Sequence, residues 1–168
     1  MKLILASSSP RRHQLLSQFE LDLIIKPHLF DEKSINSKEV SPEEYCMLIS
    51  KGKVDSLSNQ FPNFPILSAD TIVTIDGIIL EKPVDRSDAI RMLNLLSGRE
   101  HEVFTGVSLL YKDKNINFSF IEKTLVSFNL LMDYEIFYYI DEYSPYDKSG
   151  AYGIQDFSSI FVSSINGC

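Results

Sequence analysis

Residues 66–80 read ILSADTIVTIDGIIL, and this stretch decides the architecture that we expect. Residues 66–75 are rich in apolar and β-branched side chains, which is typical of a strand with buried faces. Asp76-Gly77 favours a two-residue hairpin turn, so residues 78–80 are predicted to return as an antiparallel strand. The stretch therefore predicts a long strand and its hairpin partner.

Strand and helix patterns alternate on both sides of this hairpin. Short apolar runs predict strands, and a serine or aspartate before an apolar spacing predicts the start of a helix. The expected strands cover residues 2–6, 23–25, 103–111, 116–128 and 160–165, and the expected helices begin near Ser9, Ser41, Asp85 and Asp133. Leu15, Leu16 and Phe19 are expected to supply the apolar stripe of the first helix. The mixture of strand–helix units and hairpins predicts an α/β or α+β fold with a mixed sheet.

Composition limits the kind of protein and the kind of partner. The chain has 168 residues and a formal net charge of −7, with 44% hydrophobic residues, which is typical of a globular protein. Its length predicts a single domain over residues 1–168. An acidic surface argues against polymeric nucleic acid and anionic membranes as partners. If the substrate is itself an anion, basic side chains must gather in one place.

The expected location is the cytoplasm. The first apolar run is too short for a signal peptide, and no run approaches the roughly 18 apolar residues that a membrane span requires. The cysteines are Cys46 and Cys168. Two cysteines do not make a disulfide framework, and they fit a reducing compartment.

Ser7-Ser8-Ser9-Pro10-Arg11-Arg12 joins the first predicted strand to the first predicted helix. Backbone N–H groups at a helix N-terminus attract anions, serine hydroxyls add donors, and guanidinium groups match phosphate oxygens. Two arginines in a first helical turn oppose the helix dipole, which favours an anion bound there. The alternative is an ordinary helix cap followed by two solvated arginines.

Asp70 lies in the middle of the long predicted strand, between apolar neighbours. A carboxylate near the centre of a sheet needs a partner, so Asp70 is a candidate general base or metal ligand. The alternative is a carboxylate on a solvated face. Counting from the hairpin turn pairs Ile75 with Ile78 and Thr71 with Lys82, which brings Lys82 beside Asp70. Lys82 is then either half of a simple ion pair or a phosphate ligand.

Six motifs follow one another along the chain at characteristic spacings. They are Leu5-Ala6-Ser7-Ser8-Ser9-Pro10-Arg11-Arg12, Ser68-Ala69-Asp70-Thr71-Ile72-Val73, Glu81-Lys82-Pro83, Leu96-Ser97-Gly98-Arg99 with His101 and Val103, Thr105-Gly106-Val107, and Asp147-Lys148-Ser149-Gly150-Ala151-Tyr152-Gly153-Ile154-Gln155. Together they resemble the Maf family of nucleotide pyrophosphatases. One such motif would carry little information, but six motifs in the same order and at similar spacing are specific to the family.

The resemblance implies a single elongated α/β domain of the inosine-triphosphatase-like type, with two lobes around a cleft and helices flanking a mixed, twisted sheet. It implies hydrolysis of dTTP and UTP to the monophosphate and pyrophosphate, which would clear these and perhaps modified pyrimidine nucleotides from the pool. The family is also linked to septum formation and cell-division arrest. Two alternatives are a non-catalytic nucleotide-binding regulator and a pyrophosphatase of the 7-methyl-GTP type.

The resemblance also implies a role for individual residues. Asp70 would be the proton acceptor, and the phosphate ligands would be Ser8, Arg12, Lys53 and Lys82. The residues that set base preference would be Arg11, Thr71 and Gln155. The ligands of a divalent metal would be Asp70 and Glu32. Lys51 competes with Lys53, because Lys51-Gly52-Lys53 departs from the usual Lys-Ala of the family.

Physical chemistry supports two of these implied roles. The Gln155 amide both donates and accepts, so it can match the O4 and N3–H edge of uracil or thymine; its alternative partner is the nearby glycine-rich loop. Two carboxylates close to a triphosphate would repel it unless a divalent cation, Mg²⁺ or Mn²⁺, intervenes.

Two further expectations come from the family pattern. Family members normally continue after Ile165-Asn166-Gly167 with a strand carrying Val-Val-Gly-Leu-Pro and a closing helix, and this sequence ends at Cys168. We therefore expect an exposed sheet edge and apolar surface. A homodimer is a possible assembly, although no stripe in the sequence indicates an interface.

Overall fold

The computed structural model describes residues 2–168, and within that range seven strands and four α-helices form, joined by loops and short 3-10 turns. They are β1 (Lys2–Ala6), α1 (Pro10–Leu16), β2 (Asp22–Lys26), α2 (Pro42–Ser58), β3 (Ile66–Ile75), β4 (Ile78–Leu80), α3 (Arg86–Leu96), β5 (Glu100–Tyr111), β6 (Ile116–Phe128), α4 (Asp133–Tyr143) and β7 (Val162–Asn166). None of the helices formed by residues 2–168 has the length and apolar character that a membrane crossing requires.

The strands form a mixed sheet in the order β2-β1-β3-β5-β6-β7, with β4 paired to β3. β1 runs parallel to both β2 and β3, whereas β3 with β4 and β6 with β7 are antiparallel. This arrangement confirms the predicted mixed α/β fold with a sheet flanked by helices.

The chain divides into two compact units, and β3, β5 and β6 contribute residues to both. One unit comprises the chain up to Asp70 together with Thr105–Ile121, and the other comprises Thr71–Phe104 and Glu122–Cys168. The expectation of one domain over residues 1–168 stays a prediction.

The first unit packs β1 and the start of β3 against α2. Its buried core is formed by Ile4, Ala6, Val54, Leu57, Ile66 and Leu110. Ser41 begins α2 as predicted, because its hydroxyl oxygen accepts the backbone N–H of Glu44 at 3.2 Å. The buried face of this helix also carries Lys53, which is only 4% exposed.

The predicted apolar stripe of α1 is wrong. This helix has seven residues and none of them is buried, and Leu15 and the following Phe19 are 50% and 65% exposed. A two-turn helix is too short to depend on its own apolar face, so its position follows from the chain that enters and leaves it. The helix carries Arg11 and Arg12 in its first turn.

The hairpin of the second unit forms at Asp76-Gly77 as predicted, with both residues at positive φ and Ile75 opposite Ile78. The expected pairing of Thr71 with Lys82 is wrong, because the ladder ends at Val73 and Leu80.

Ser149 supplies the physical reason for this early end. Its hydroxyl accepts the N–H of Val73 at 2.9 Å and donates to the carbonyl of Leu80 at 2.5 Å, so a side chain links the two strands. Gly150 donates its N–H to the carbonyl of Glu81 at 3.2 Å. A Cβ on Gly150 would lie 2.9 Å from the Val73 side chain, which explains the glycine at this position.

A larger core fills the second unit, where α3 and α4 pack with strands and the closing loops. Its aromatic part includes Phe128, Tyr139, Tyr152 and Phe161, whose rings meet mostly edge to face. His101 lies among them, 2% exposed, with Nε2 2.7 Å from the Tyr152 hydroxyl. Burial lowers the pKa of His101 from 6.5 to about 4, although a hydrogen bond with the Arg99 backbone opposes the effect.

This burial predicts a pH-dependent stability. Between pH 6.5 and 4 the unfolded chain binds a proton at His101 that the folded protein excludes, so the free energy of unfolding falls as the pH is lowered through that range. The loss reaches about 3 kcal/mol at most. Urea denaturation at pH 7 and pH 4.5 measures it. His101→Gln should flatten the difference, and an unchanged pH slope in that variant would contradict the assignment.

Candidate functional site

In the first unit, the Lys53 ammonium lies between two carboxylates. Its Nζ is 2.7 Å from Oδ1 of Asp70 and 2.9 Å from Oε1 of Glu32. The Lys53 side chain is 5% exposed, the Asp70 side chain 14% and the Glu32 side chain 41%. A buried ammonium is stable only when opposite charges and hydrogen bonds replace its water, and these two acids do so.

Glu32 reaches this position because its loop is fastened to α2. A Cβ on Gly52 would lie 2.5 Å from the ring of Phe30, so the absence of a side chain at this point of the helix makes room for that ring. The backbone N–H of Leu29 also donates to Ser56 of α2 at 3.1 Å. Phe30 thus gives a local reason for the glycine in Lys51-Gly52-Lys53.

The Asp70 side of the site is held by buried contacts to α2 and β5. The Cys46 thiol lies 3.5 Å from the Asp70 carbonyl and accepts the N–H of Gly106 at 3.1 Å. A Cβ on Gly106 would meet the Cys46 carbonyl at 2.9 Å, so the glycine permits this close approach. Burial, followed by the Asp70 charge, raises the pKa of Cys46 to about 12. Cys46 is consequently a neutral packing residue, not a nucleophile.

Arg12 adds a second cation beside Asp70. Its guanidinium lies 3.5 Å from the Ser7 hydroxyl, which also accepts the N–H of Ser9 at 3.1 Å. Burial lowers the pKa of Arg12, the Asp70 charge opposes this shift, and the nearby Arg11 adds to it. Positive charge thus accumulates around a partly buried carboxylate, as the binding of a polyanion requires.

His28 lies next to Glu32, at the edge of the charged group formed by Arg12, Glu32, Lys53 and Asp70. Its Nε2 is 3.3 Å from Oε1 of Glu32. Burial and then the charge of Lys53 lower the pKa of His28, with Glu32 opposing. The imidazole is therefore neutral at pH 7 and donates Nε2–H to the Glu32 carboxylate.

The donor chemistry of Asp70 and Glu32 fits a divalent cation that brings most of its own ligands. Among residues 2–168, no group of three or more His, Cys, Asp and Glu side chains is arranged to hold a metal ion. Magnesium commonly binds one or two carboxylates and completes its octahedron with substrate phosphates and water. Asp70 and Glu32 supply oxygen donors of that kind, and in this structure both of them pair with Lys53.

The second unit carries the remaining residues that the sequence singled out. Thr71 is exposed, and Lys82 is exposed just beyond the end of β4. Gln155 is exposed in a turn that closes through the Asp156 N–H and the Gly153 carbonyl at 3.1 Å.

The structure thus brings together four of the predicted site residues: Arg12, Glu32, Lys53 and Asp70. It also separates the two competing lysines, because Lys51 is exposed and lines a polar hollow of about 310 Å³ with Asp55, Asn117 and Ser119. Ser8 is exposed, and the buried serine of the motif is Ser7.

Sequence reasoning missed His28 and Cys46, and within the serine motif it singled out Ser8, whereas the buried serine is Ser7. A histidine four residues before an acid was the only signal for His28, and such a spacing is common. The position of Cys46 inside α2 gave no indication of its contact with Asp70, which depends on how α2 packs against β3.

Three comparisons with known proteins extend this picture. The family model described as Maf-like protein matches residues 2–168. A dTTP/UTP pyrophosphatase of Carboxydothermus hydrogenoformans is 43% identical over 172 residues, with 100% of this chain and 89% of the relative covered. A dTTP/UTP pyrophosphatase of Pyrococcus furiosus is 46% identical over 166 residues, with 99% and 85% covered.

A solved structure supports the fold independently. The Ham1 protein of Staphylococcus aureus superposes with a TM-score of 0.51 over 76% of this chain and 72% of its own, at 15% sequence identity. This likeness shows the inosine-triphosphatase-like fold and nothing finer. With a family model that spans residues 2–168 and relatives above 40% identity, the chain belongs to the Maf family.

Proposed function

We propose that this protein is a pyrophosphatase that hydrolyses dTTP and UTP to the nucleoside monophosphate and pyrophosphate. The observation that carries the proposal is the Lys53 ammonium held between Asp70 and Glu32, with Arg12 beside them. The dTTP/UTP pyrophosphatases of two distant organisms, similar over the whole chain, support the same substrate class.

Hydrolysis requires water to attack the α-phosphorus while the bond to the β-phosphate oxygen breaks and pyrophosphate leaves. Catalysis of this kind depends on charge neutralisation and on the position of the water. Lys53 and Arg12 bind phosphate oxygens, and Asp70 accepts the proton of the attacking water. Before substrate binds, Lys53 neutralises Asp70; phosphate oxygens then compete for the ammonium and leave the carboxylate to the water.

A divalent cation, when bound, neutralises phosphate charge and polarises the phosphoryl group. Asp70 and Glu32 are the residues that would hold it, and Mg²⁺ or Mn²⁺ suits their oxygen donors. His28 holds Glu32 in place through Nε2–H. The tether of the Glu32 loop to α2, through Phe30 and Gly52, preserves this arrangement.

Further roles in the proposal follow the family pattern. Ser8 and Lys82 contribute to phosphate binding, and Arg11, Thr71 and Gln155 set the preference for the base. Gln155 suits this role chemically, because one amide can donate to O4 and accept from N3–H of uracil or thymine.

The direct test is release of pyrophosphate from a panel of nucleotides with Mg²⁺: dTTP, UTP, dCTP, dATP and 7-methyl-GTP. We expect the highest kcat/KM for dTTP and UTP. Asp70→Asn should lower kcat by about 10²- to 10⁴-fold while calorimetry still detects nucleotide binding, since a proton acceptor is lost and the cations remain.

Three outcomes would contradict the proposal in different ways. Binding without turnover in the folded wild-type protein would indicate a nucleotide-binding regulator. A preference for 7-methyl-GTP would reassign the substrate. Undiminished turnover in Asp70→Asn would remove Asp70 as the proton acceptor.

Lys53→Met and Lys51→Met form a matched pair, two residues apart on α2. The first should raise the KM for dTTP and cost about 3 kcal/mol of stability, because Asp70 and Glu32 lose the cation between them. The second should leave the KM unchanged and the stability within about 0.5 kcal/mol, as at an ordinary exposed site. Steady-state kinetics and urea denaturation measure both, and equal effects would contradict the assignment of Lys53.

Metal dependence provides a separate prediction. Chelation with EDTA should abolish pyrophosphate release, and added Mg²⁺ or Mn²⁺ should restore it. Glu32→Gln should raise the half-saturating Mg²⁺ concentration about tenfold, because a neutral amide is a weaker ligand than a carboxylate. Glu39→Gln, in the same loop region, is the control and should leave the Mg²⁺ requirement unchanged. Full activity after chelation would exclude the metal.

A further inference from the structure

Asp156 joins several elements of the second unit at the turn that carries Gln155. Its Oδ1 accepts the N–H of Ser158 at 3.0 Å and lies 2.8 Å from the Ser158 hydroxyl. Its Oδ2 accepts the Tyr139 hydroxyl at 3.3 Å and lies 3.7 Å from Nζ of Lys148. One carboxylate therefore links the turn to α4 and to the loop before it.

The partners of Asp156 are buried, although the turn itself is at the surface. Ser158 and Tyr139 are both 0% exposed, and the Lys148 side chain is 13% exposed. Burial raises the pKa of Tyr139, and the Asp156 charge acts in the same direction, so the hydroxyl keeps its proton and donates. Hydrogen bonds to an ionised acceptor are shorter and stronger than those between neutral groups.

Asp156 and Ser158 also hold the other end of the turn, at Gly153. The Ser158 hydroxyl accepts the Gly153 N–H at 3.2 Å and lies 2.9 Å from the Gly153 carbonyl, which in turn accepts the Asp156 N–H at 3.1 Å. Gln155 is the residue directly before Asp156, and its side chain is exposed. Asp156 and Ser158 therefore hold the backbone on both sides of Gln155.

We propose that Asp156 is a positioning residue that sets base discrimination by fixing the turn on which Gln155 stands. The inference rests on the proposed dTTP/UTP pyrophosphatase function. A side-chain amide distinguishes O4 and N3–H of thymine from the amine and bare nitrogen of cytosine only when its orientation is fixed. If the turn is loosened, the Gln155 amide can rotate and form hydrogen bonds with the edge of either thymine or cytosine.

The experiment compares kcat/KM for dTTP with kcat/KM for dCTP, which has the same phosphates and ring size but the opposite hydrogen-bond edge. Asp156→Ala should lower this ratio about tenfold, the effect of a misdirected hydrogen bond, with kcat for dTTP at saturation changed less than about threefold. Asp156→Asn keeps one acceptor oxygen for Ser158 and should retain part of the selectivity. All variants are assayed well below their melting temperatures.

Asp147→Ala is the matched control, because Asp147 is also a carboxylate that pairs with Lys148, at 2.9 Å, and its side chain is 63% exposed. It should leave the dTTP to dCTP ratio unchanged. In combination with Gln155→Ala, Asp156→Ala should add no further loss of selectivity, since both act through one amide.

The outcomes separate this proposal from the function on which it rests. A lower melting temperature with an unchanged dTTP to dCTP ratio makes Asp156 a purely structural residue and overturns the proposal, as does additive loss in the double variant. If the wild-type protein releases no pyrophosphate, the pyrophosphatase function fails. Calorimetric dissociation constants for dTTP and dCTP then supply the ratio, and equal ratios in wild type and Asp156→Ala overturn the positioning role as well.

Discussion

The Lys53 ammonium between Asp70 and Glu32 is the interaction on which the first unit depends. Its charge is almost completely removed from water, and the two carboxylates compensate for the lost hydration. Placing Lys53 there requires a buried face on α2, and placing Glu32 there requires the contact of Phe30 with Gly52. The same three charges that stabilise this arrangement are the groups that phosphate chemistry needs, so stability and the proposed function rest on one cluster.

In the second unit, residues 149–158 both end the pairing of β3 with β4 and hold the turn that carries Gln155. Ser149 replaces a direct ladder bond between β3 and β4, which releases Lys82 from the hairpin and leaves it exposed. A few residues later, Asp156 and Ser158 fix the turn that carries Gln155. The motif that includes both Ser149 and Gln155 therefore combines strand termination with presentation of a polar side chain at the surface.

Prediction from sequence succeeded where the signal was local. The Ser41 cap, the Asp76-Gly77 turn and the long strand that starts at Ile66 all formed, because each depends on a few neighbouring residues. Prediction failed where contacts with residues distant in the sequence decide the structure. Leu15 and Phe19 were expected in the interior and are exposed. The predicted pairing of Thr71 does not form because Ser149, far along the chain, binds at Val73.

The sequence by itself determined the family, the mixed sheet and the residue types of the site, since spacing, caps and turn residues act within one element. Tertiary structure decided which lysine meets Asp70. Lys51 and Lys53 are equivalent in composition and lie two residues apart, but a helix turns each residue by about 100°, so only one of them faces the sheet. The burial of that face, and not the motif, places the ammonium on the carboxylate.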